Sequence, residues 1–162
     1  MVLKEISLKL PNRAGSLVGV ARILAEHRIN LAAISVDSNS RVGNVRLVVS
    51  NPERAVRLLE KAQYRPEVHD LLAVHLEDRA GTFLRVLDLL ARERLNVRGV
   101  VILVVRQGTR TLVGLELDEI ERARQVLVQA GFFSEEVERL ISNADLVAAA
   151  PVIPAESVGM LL

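Results

Sequence analysis

Apolar and polar residues alternate along the start of the chain, most regularly from Ile6 to Leu10. Alternation with a period of two is typical of a β-strand that buries one face. A turn follows, and from Leu17 onward the apolar residues recur every three to four positions, as on the buried side of a helix. The pattern therefore predicts a strand over about Leu3 to Leu10 and a helix after Gly15.

The rest of the first half predicts two more strands, a second helix and a further strand. Leu31 to Val36 and Val45 to Val49 are apolar segments joined by a polar loop, which indicates a hairpin. Asn51 followed by Pro52 is typical of a helix start, because proline is tolerated at the first helical position. With a fourth strand over Pro66 to Leu71, the order is strand, helix, strand, strand, helix, strand.

The second half repeats the first at a spacing of 66 residues. The turn Asn-Arg-Ala-Gly-Ser-Leu at 12–17 returns as Asp-Arg-Ala-Gly-Thr-Phe at 78–83. The segment Ile-Asn-Leu at 29–31 returns as Leu-Asn-Val at 95–97. One shift that fits both segments indicates a duplicated structural unit. We predict a first domain over residues 1–71 and a second over residues 72–162.

The second unit repeats the order of elements. We predict a helix over 80–93, strands over 97–105 and 111–117, and a helix over 118–130. Asp118 is the expected N-cap of the last helix. An irregular extension follows from about residue 132, and its final strand stays open. Residues 133–141 fit a strand or a short helix, whereas residues 146–153 look more like a strand.

The duplicated turns and the strand segments after the first helices resemble those of ACT domains, and the chain resembles a stand-alone tandem ACT protein over about residues 3–131. Proline often precedes the turn glycine in that family, whereas Ala14 and Ala80 stand here. The resemblance implies an α+β fold made of two ferredoxin-like βαββαβ ACT units in tandem. Their antiparallel sheets are expected side by side, with the helices on one face.

The two turns are the predicted binding region. A glycine turn that opens a helix leaves backbone N–H groups without partners, and the helix dipole attracts a carboxylate or phosphate there. The resemblance implies amino-acid binding at domain interfaces, through the turn and the start of the second strand. The candidate ligand-binding residues are Asn12, Arg13, Ala14, Gly15, Ser16, Leu17, Asn30, Leu31, Asp78, Arg79, Ala80, Gly81, Thr82, Phe83, Asn96 and Val97.

Several candidates also have a purely structural interpretation. Asn12 and Asp78 belong to residue types that cap helix N-termini. Asn30 and Asn96 follow a helix, where asparagine readily adopts the left-handed conformation of a C-terminal cap. Arginines in exposed loops are usually solvated. Capping and ligand binding are compatible, so both interpretations stay open.

The two turns differ in charge, because Asp78 stands where the first turn has Asn12. A carboxylate at the positive end of the second helix disfavours another anionic group there. We therefore expect an anionic ligand group to prefer the first turn and an ammonium group to prefer the second. On this hypothesis, Asp78→Asn changes ligand affinity or selectivity more than Asn96→Ala.

Composition argues against several classes of protein. The chain has no cysteine, and its net charge of +1 arises from interspersed charges, so we expect neither thiolate chemistry nor a nucleic-acid partner. His27, His69 and His75 lack metal-ligand spacing, and no nucleophile elbow or phosphate-binding loop occurs. We expect no catalytic residue, no metal and no cofactor. Charges and prolines interrupt the apolar segment 144–162, so we expect a cytoplasmic protein without a membrane span.

The resulting hypothesis is a non-catalytic regulatory protein that binds a small ligand, an amino acid, at the interface between ACT domains. One alternative is a regulatory subunit of an amino-acid biosynthetic enzyme, as ACT-containing small subunits of acetolactate synthase are. Another is an assembly module without a ligand.

The quaternary structure is less determined by the pattern. The nearly unbroken apolar segment 97–105 suits a strand covered on both faces. Four helices on one face of the sheet would leave the other face uncovered. A homodimer or the segment 133–162 could cover it, and we expect a homodimer.

Overall fold

The computed structural model describes residues 2–38, 41–77, 79–103 and 110–132. Six strands and four helices occupy this part of the chain. In chain order they are β1 (Val2–Pro11), α1 (Ser16–Glu26), β2 (Leu31–Asp37), β3 (Val42–Val49), α2 (Pro52–Lys61), β4 (Glu67–Glu77), α3 (Thr82–Arg92), β5 (Val97–Leu103), β6 (Arg110–Leu117) and α4 (Ile120–Gln129).

The strands form one antiparallel sheet in the order β2-β3-β1-β4-β6-β5. The predicted fold is confirmed, because the sheets of the two units lie side by side with all four helices packed on one face. β4 is a single strand that crosses the expected domain boundary after residue 71. It ends the first unit and begins the second.

The repeat is also visible in the strand register. Lys4 of β1 lies opposite Asp70 of β4, and these residues are 66 positions apart, so they occupy the same place in the repeat. Exchanging the two strands therefore leaves their pairing unchanged, and a pseudo-twofold axis passes through the Lys4–Asp70 ion pair. Because the β5–β6 connection is two residues longer than the β2–β3 connection, β6 and α4 follow β3 and α2 by 68 residues.

Each unit has its own core between the sheet and two helices. Leu59 of α2 and Leu127 of α4 occupy equivalent positions, and both are fully buried. Asn51 caps α2, since its Oδ1 accepts a hydrogen bond from the backbone N–H of Arg54 at 3.0 Å. Pro52 is the first residue of that helix, as the sequence predicts.

The face of the sheet without helices, which we call the inner face, is buried as well. The edge strands β2 and β5 contact each other, although the five strand spacings between them in a flat sheet would amount to about 24 Å. The sheet therefore curls around its inner face. An apolar cluster fills part of the enclosed space and contains Leu3, Ala32, Ala33, Val48, Leu71, Ala73, Leu103 and Leu112. Curvature of the sheet thus covers the inner face within a single chain.

Within a single chain, β5 is covered on one side only. β5 is an edge strand, and its residues alternate between inward and outward positions. Leu103 is buried in the inner apolar cluster, whereas Val100 and Ile102 are 48% and 66% exposed on the outer side. Val100 and Ile102 give this edge strand an apolar outer side, which accounts for the nearly unbroken apolar pattern.

Two expectations about helix ends are wrong. The N-cap of α4 is Glu119, whereas Asp118 forms an ion pair with Arg98. The left-handed residues after α1 and α3 are Arg28 and Arg94, with φ of 55° and 57°, and not the asparagines two positions later. The final strand expected within 133–153 lies outside the described residues.

Candidate functional site

The two glycine turns have the same backbone structure. Gly15 and Gly81 are the N-caps of α1 and α3, with φ of 86° and 88°. Glycine is favoured here because other residues are strained in the left-handed region. In each turn the arginine two positions before the glycine accepts, through its carbonyl, a hydrogen bond of 3.2 Å from the first helical residue. Gly15 rather than Asn12 therefore occupies the cap position of α1.

A cavity of about 240 Å³, the first cavity, lies beside the first turn. Val36 of β2 and Val45 of β3 form its apolar wall, and the turn forms the opposite wall. All six candidate residues of this turn line the cavity, namely Asn12, Arg13, Ala14, Gly15, Ser16 and Leu17. The first turn therefore presents these residues around one concave surface.

A second cavity, of about 340 Å³, lies at the equivalent place in the second unit. Arg79 and Phe83 of the second turn line it, together with Glu77 at the end of β4. The remaining lining residues are Leu76, Val100, Ile102, Thr111 and Val113. Ala80, Gly81 and Thr82 are not among them, and Asp78 lies outside the described residues. Each repeat thus has a cavity between its glycine turn and two strands, β2 and β3 in the first unit and β5 and β6 in the second.

The structure does not bring the two turns together within one chain. Pro11 and Glu77, the last residues before the turns, lie seven positions from the central Lys4–Asp70 pair in opposite directions. At about 3.3 Å per residue, this places the turns roughly 45 Å apart along the strands. Each turn therefore borders its own cavity.

The candidates at the starts of the second strands also lie apart from the turn cavities. Asn30 precedes β2, whereas the first cavity contacts Val36 near the other end of that strand. Leu31 and Val36 are five residues apart, about 17 Å along an extended strand. Asn96 and Val97 have the same relation to Ile102. A ligand-binding role for these four residues stays a prediction.

A group of charged and polar side chains on the inner face was not anticipated from the sequence. This inner polar cluster consists of Glu5, Ser7, Arg46, His69 and Glu116. Arg46 Nη2 donates a hydrogen bond of 3.2 Å to Glu116 Oε2, and Arg46 Nη1 lies 3.7 Å from Glu5 Oε2. His69 Nε2 lies 3.1 Å from Ser7 Oγ, at hydrogen-bonding distance. The cluster joins side chains from the four strands β1, β3, β4 and β6.

The inner polar cluster breaks the symmetry of the repeat. At the equivalent positions of the other unit stand Leu71, Ala73, Gly114, Leu3 and Val48. The pseudo-twofold axis therefore relates a polar half of the inner face to an apolar half. The alternation in β1 does place Glu5 and Ser7 on the face of the sheet opposite the helices. Polar residues on such a face are normally interpreted as exposed to solvent. Curling of the sheet, which the pattern does not encode, buries them instead.

Glu5 is the most buried member of the cluster, with 2% of its surface exposed. Burial raises the pKa of its carboxyl group, and the nearby Glu116 raises it further. Arg46 and His69 act in the opposite direction and lower this pKa. Glu5 Oε2 accepts no hydrogen bond from the described residues. Arg46 and His69 therefore compensate the charge of this carboxylate only in part.

The Ser7, His69 and Glu116 side chains follow the order of a hydrolase triad, yet their geometry does not support catalysis. His69 Nδ1 lies 3.8 Å from Glu116 Oε1, beyond the range of a hydrogen bond. Ser7 lies inside a strand that is paired on both sides, and only 7% of its surface is exposed. We assign the inner polar cluster a structural role.

Two further properties of the described residues concern metals and membranes. Among them, no group of three or more histidine or acidic side chains is arranged to hold a metal ion. The described helices include none with the length and apolar character needed to cross a membrane.

Comparison with known proteins identifies the duplicated architecture. Residues 1–142 match the model of a family described as an ACT domain pair. No curated protein matches the chain in sequence.

Solved structures share the fold at low sequence identity. Protein BT0572 from Bacteroides thetaiotaomicron is 23% identical, with a TM-score of 0.78, over 91% of this chain and 96% of its own. The ligand-free regulatory subunit of aspartate kinase from Thermus thermophilus is 17% identical, with a TM-score of 0.57, over 80% of this chain and 95% of its own. The corresponding subunit from Thermus flavus is 16% identical, with a TM-score of 0.55, over 80% and 92%.

Proposed function

The chain belongs to the family of ACT domain pairs, and from this we propose that it is a non-catalytic regulatory protein that binds an amino acid at its glycine turns. The observation that carries the proposal is the duplicated cavity at the two turns, lined by residues 12–17 in the first unit and by Arg79 and Phe83 in the second. Backbone N–H groups at a helix start, together with the helix dipole, favour the α-carboxylate of an amino acid. The cavity walls offer apolar surface to its side chain.

We further propose that the functional form is a homodimer in which these cavities lie at an interface between ACT domains of two chains. Because the turns of one chain are roughly 45 Å apart along the strands, a ligand that contacts two turns requires a second chain. Exposed apolar side chains beside each cavity support this arrangement. In the first unit they are Leu17, Val18, Ile34 and Val36, and in the second they are Phe83, Leu84, Val100 and Ile102.

A thermal-shift measurement with each of the twenty amino acids tests ligand binding. A ligand at one hundred times its Kd should stabilise the native state by about 2.7 kcal/mol. For a chain of this size this corresponds to a rise in Tm of roughly 5 to 10 °C. Arg79→Ala should reduce the shift, whereas Arg92→Ala on the exposed side of α3 serves as a matched control. If no amino acid raises the Tm, amino-acid binding is refuted and an assembly module without a ligand is favoured.

Light scattering coupled to gel filtration tests the dimer, with and without the stabilising amino acid. A mass of one chain in both conditions would contradict the two-chain arrangement.

A regulated enzyme is the alternative partner. The two Thermus structures are regulatory subunits of aspartate kinase, which supports a role for this chain as a subunit that controls a separate catalytic protein. Co-purification from the native host, with identification of the bound protein by mass spectrometry, separates this role from that of a free-standing sensor. A cytoplasmic location stays a prediction.

A further inference from the structure

The two cavities are equivalent in position but differ in chemistry. Where the first cavity has Pro11, the second has Glu77, and where the first has Gly43, the second has Thr111. Both keep an arginine at the turn. The second cavity therefore offers a carboxylate, a guanidinium and a hydroxyl group, whereas no carboxylate lies among the described residues that line the first.

We propose that the second cavity is selective for amino acids with apolar side chains, and that the first cavity does not accept the same zwitterion. Arg79 binds the α-carboxylate of the ligand and Glu77 binds its α-ammonium group. This inference rests on the proposed function, since it specifies which amino acids bind and in which cavity.

The position of the two charged residues supports this assignment. Glu77 ends β4 and Arg79 follows two positions later, with its backbone N–H donating a hydrogen bond of 2.8 Å to the Glu77 carbonyl oxygen. This turn holds the two oppositely charged residues beside one cavity. A free amino acid presents its carboxylate and ammonium groups on one carbon atom, so a cavity lined by one guanidinium and one carboxylate matches it.

The walls of the second cavity support an apolar side chain. Phe83 lies on α3, Ile102 on β5 and Val113 on β6, so apolar groups from three elements line the space. The volume of about 340 Å³ is close to the lower limit of roughly 300 Å³ for small-molecule sites. A charged ligand side chain would lose hydration against these apolar walls without gaining a partner, because Glu77 and Arg79 bind the ammonium and carboxylate groups of the ligand. Leucine, isoleucine and phenylalanine fit these conditions better than aspartate or lysine.

The difference between the cavities agrees with the hypothesis drawn from Asp78 and Asn12. That hypothesis assigned an ammonium group to the second turn and an anionic group to the first. Glu77 adds a second carboxylate near the second turn, while the first turn has Arg13 with the hydroxyl groups of Ser16 and Ser38. A 2-oxo acid, which lacks the ammonium group, is therefore the better ligand for the first cavity.

Titration calorimetry on the full chain tests the assignment with L-leucine, L-alanine, L-aspartate and 4-methyl-2-oxopentanoate. Leucine should bind about 10- to 100-fold more tightly than alanine, because burying a side chain of that size contributes this much affinity. Glu77→Gln should weaken leucine binding at least tenfold while leaving binding of the 2-oxo acid within twofold. Glu67→Gln, at the exposed start of the same strand, is the charge-matched control and should change neither.

A second pair of variants identifies the cavity. Ile102→Asn alters an exposed residue of the second cavity and should weaken leucine binding at least tenfold, whereas Val36→Asn alters the equivalent residue of the first cavity and should not. Equal losses in these two variants, or binding of aspartate as tight as that of leucine, would overturn the selectivity but leave the proposed function intact. If none of the amino acids binds, the proposed function itself fails.

Discussion

Replacing Arg46 by methionine is the sharpest test of the inner polar cluster, because this guanidinium lies between the carboxylates of Glu5 and Glu116. Removing one partner of a fully buried ion pair costs about 3 to 5 kcal/mol. Arg46 is 32% exposed, so water screens part of the interaction. We therefore expect Arg46→Met to lower the free energy of unfolding by about 2 kcal/mol at pH 7.

The pH dependence of this loss identifies its cause. Arg46 lowers the pKa of Glu5, which burial has already raised, so removing Arg46 raises that pKa further. For a carboxyl group whose pKa is higher in the folded than in the unfolded state, the unfavourable charge is present at neutral pH and is lost as the group is protonated. The destabilisation by Arg46→Met, measured relative to the wild-type chain at the same pH, should therefore shrink as the pH falls from 7 to about 4.5.

Urea unfolding at both pH values provides the measurement. Arg57→Met on the exposed side of α2 is the control, and it should change the free energy of unfolding by less than about 0.5 kcal/mol. Adding Glu116→Gln to Arg46→Met should recover part of the loss, because one unpaired carboxylate is removed. A loss that is the same at both pH values would refute the electrostatic explanation and leave only the lost packing of the arginine stem.

Three further substitutions test other parts of the fold. Glu5→Gln should raise the free energy of unfolding by about 0.5 to 1 kcal/mol at pH 7, because the raised pKa of Glu5 means that its charged form is disfavoured in the folded state. This gain in stability should disappear in acid, and a loss of stability at pH 7 would contradict the direction of the pKa shift. Gly114→Ala should destabilise by about 1 to 3 kcal/mol, because the added Cβ would lie 2.9 Å from Val101 Cγ1 and 3.0 Å from Leu71 Cδ1; an unchanged urea midpoint would show that this interface is loose. Gly81→Ala should cost about 1 to 2 kcal/mol through its left-handed backbone alone, since its added Cβ meets nothing within 4 Å; a larger loss in thermal unfolding would indicate an additional packing role.

The elements that follow local rules were predictable from the sequence. Asn51 and Pro52 predict the start of α2, because capping and proline geometry involve only neighbouring residues. Gly15 and Gly81 mark the turns for the same reason. Asp118 shows the limit of such rules, since its side chain pairs with Arg98 across the β5–β6 hairpin instead of capping α4.

The candidate site was predictable only in part. Residues 12–17 are consecutive and line one cavity, whereas of the corresponding residues 79–83 only Arg79 and Phe83 line the second cavity. Val36 and Ile102 were missed, because their place beside the turns depends on how β2 and β5 pack in three dimensions. Glu77 was missed although it directly precedes the second turn. Asn30 and Asn96 lie apart from the turn cavities, since membership in one family pattern does not fix their distance from the turn, and their role stays a prediction.

Periodicity and neighbouring residues were sufficient to predict the duplication, the order of elements and the position of both turns. The curvature of the sheet, the burial of the Glu5–Arg46–Glu116 group and the separation of the two turns depend on tertiary contacts. The antiparallel register of β1 with β4 fixes that separation by directing the turns to opposite ends of the sheet. Such properties arise from contacts between residues far apart in the chain, which a pattern along one strand or helix does not contain.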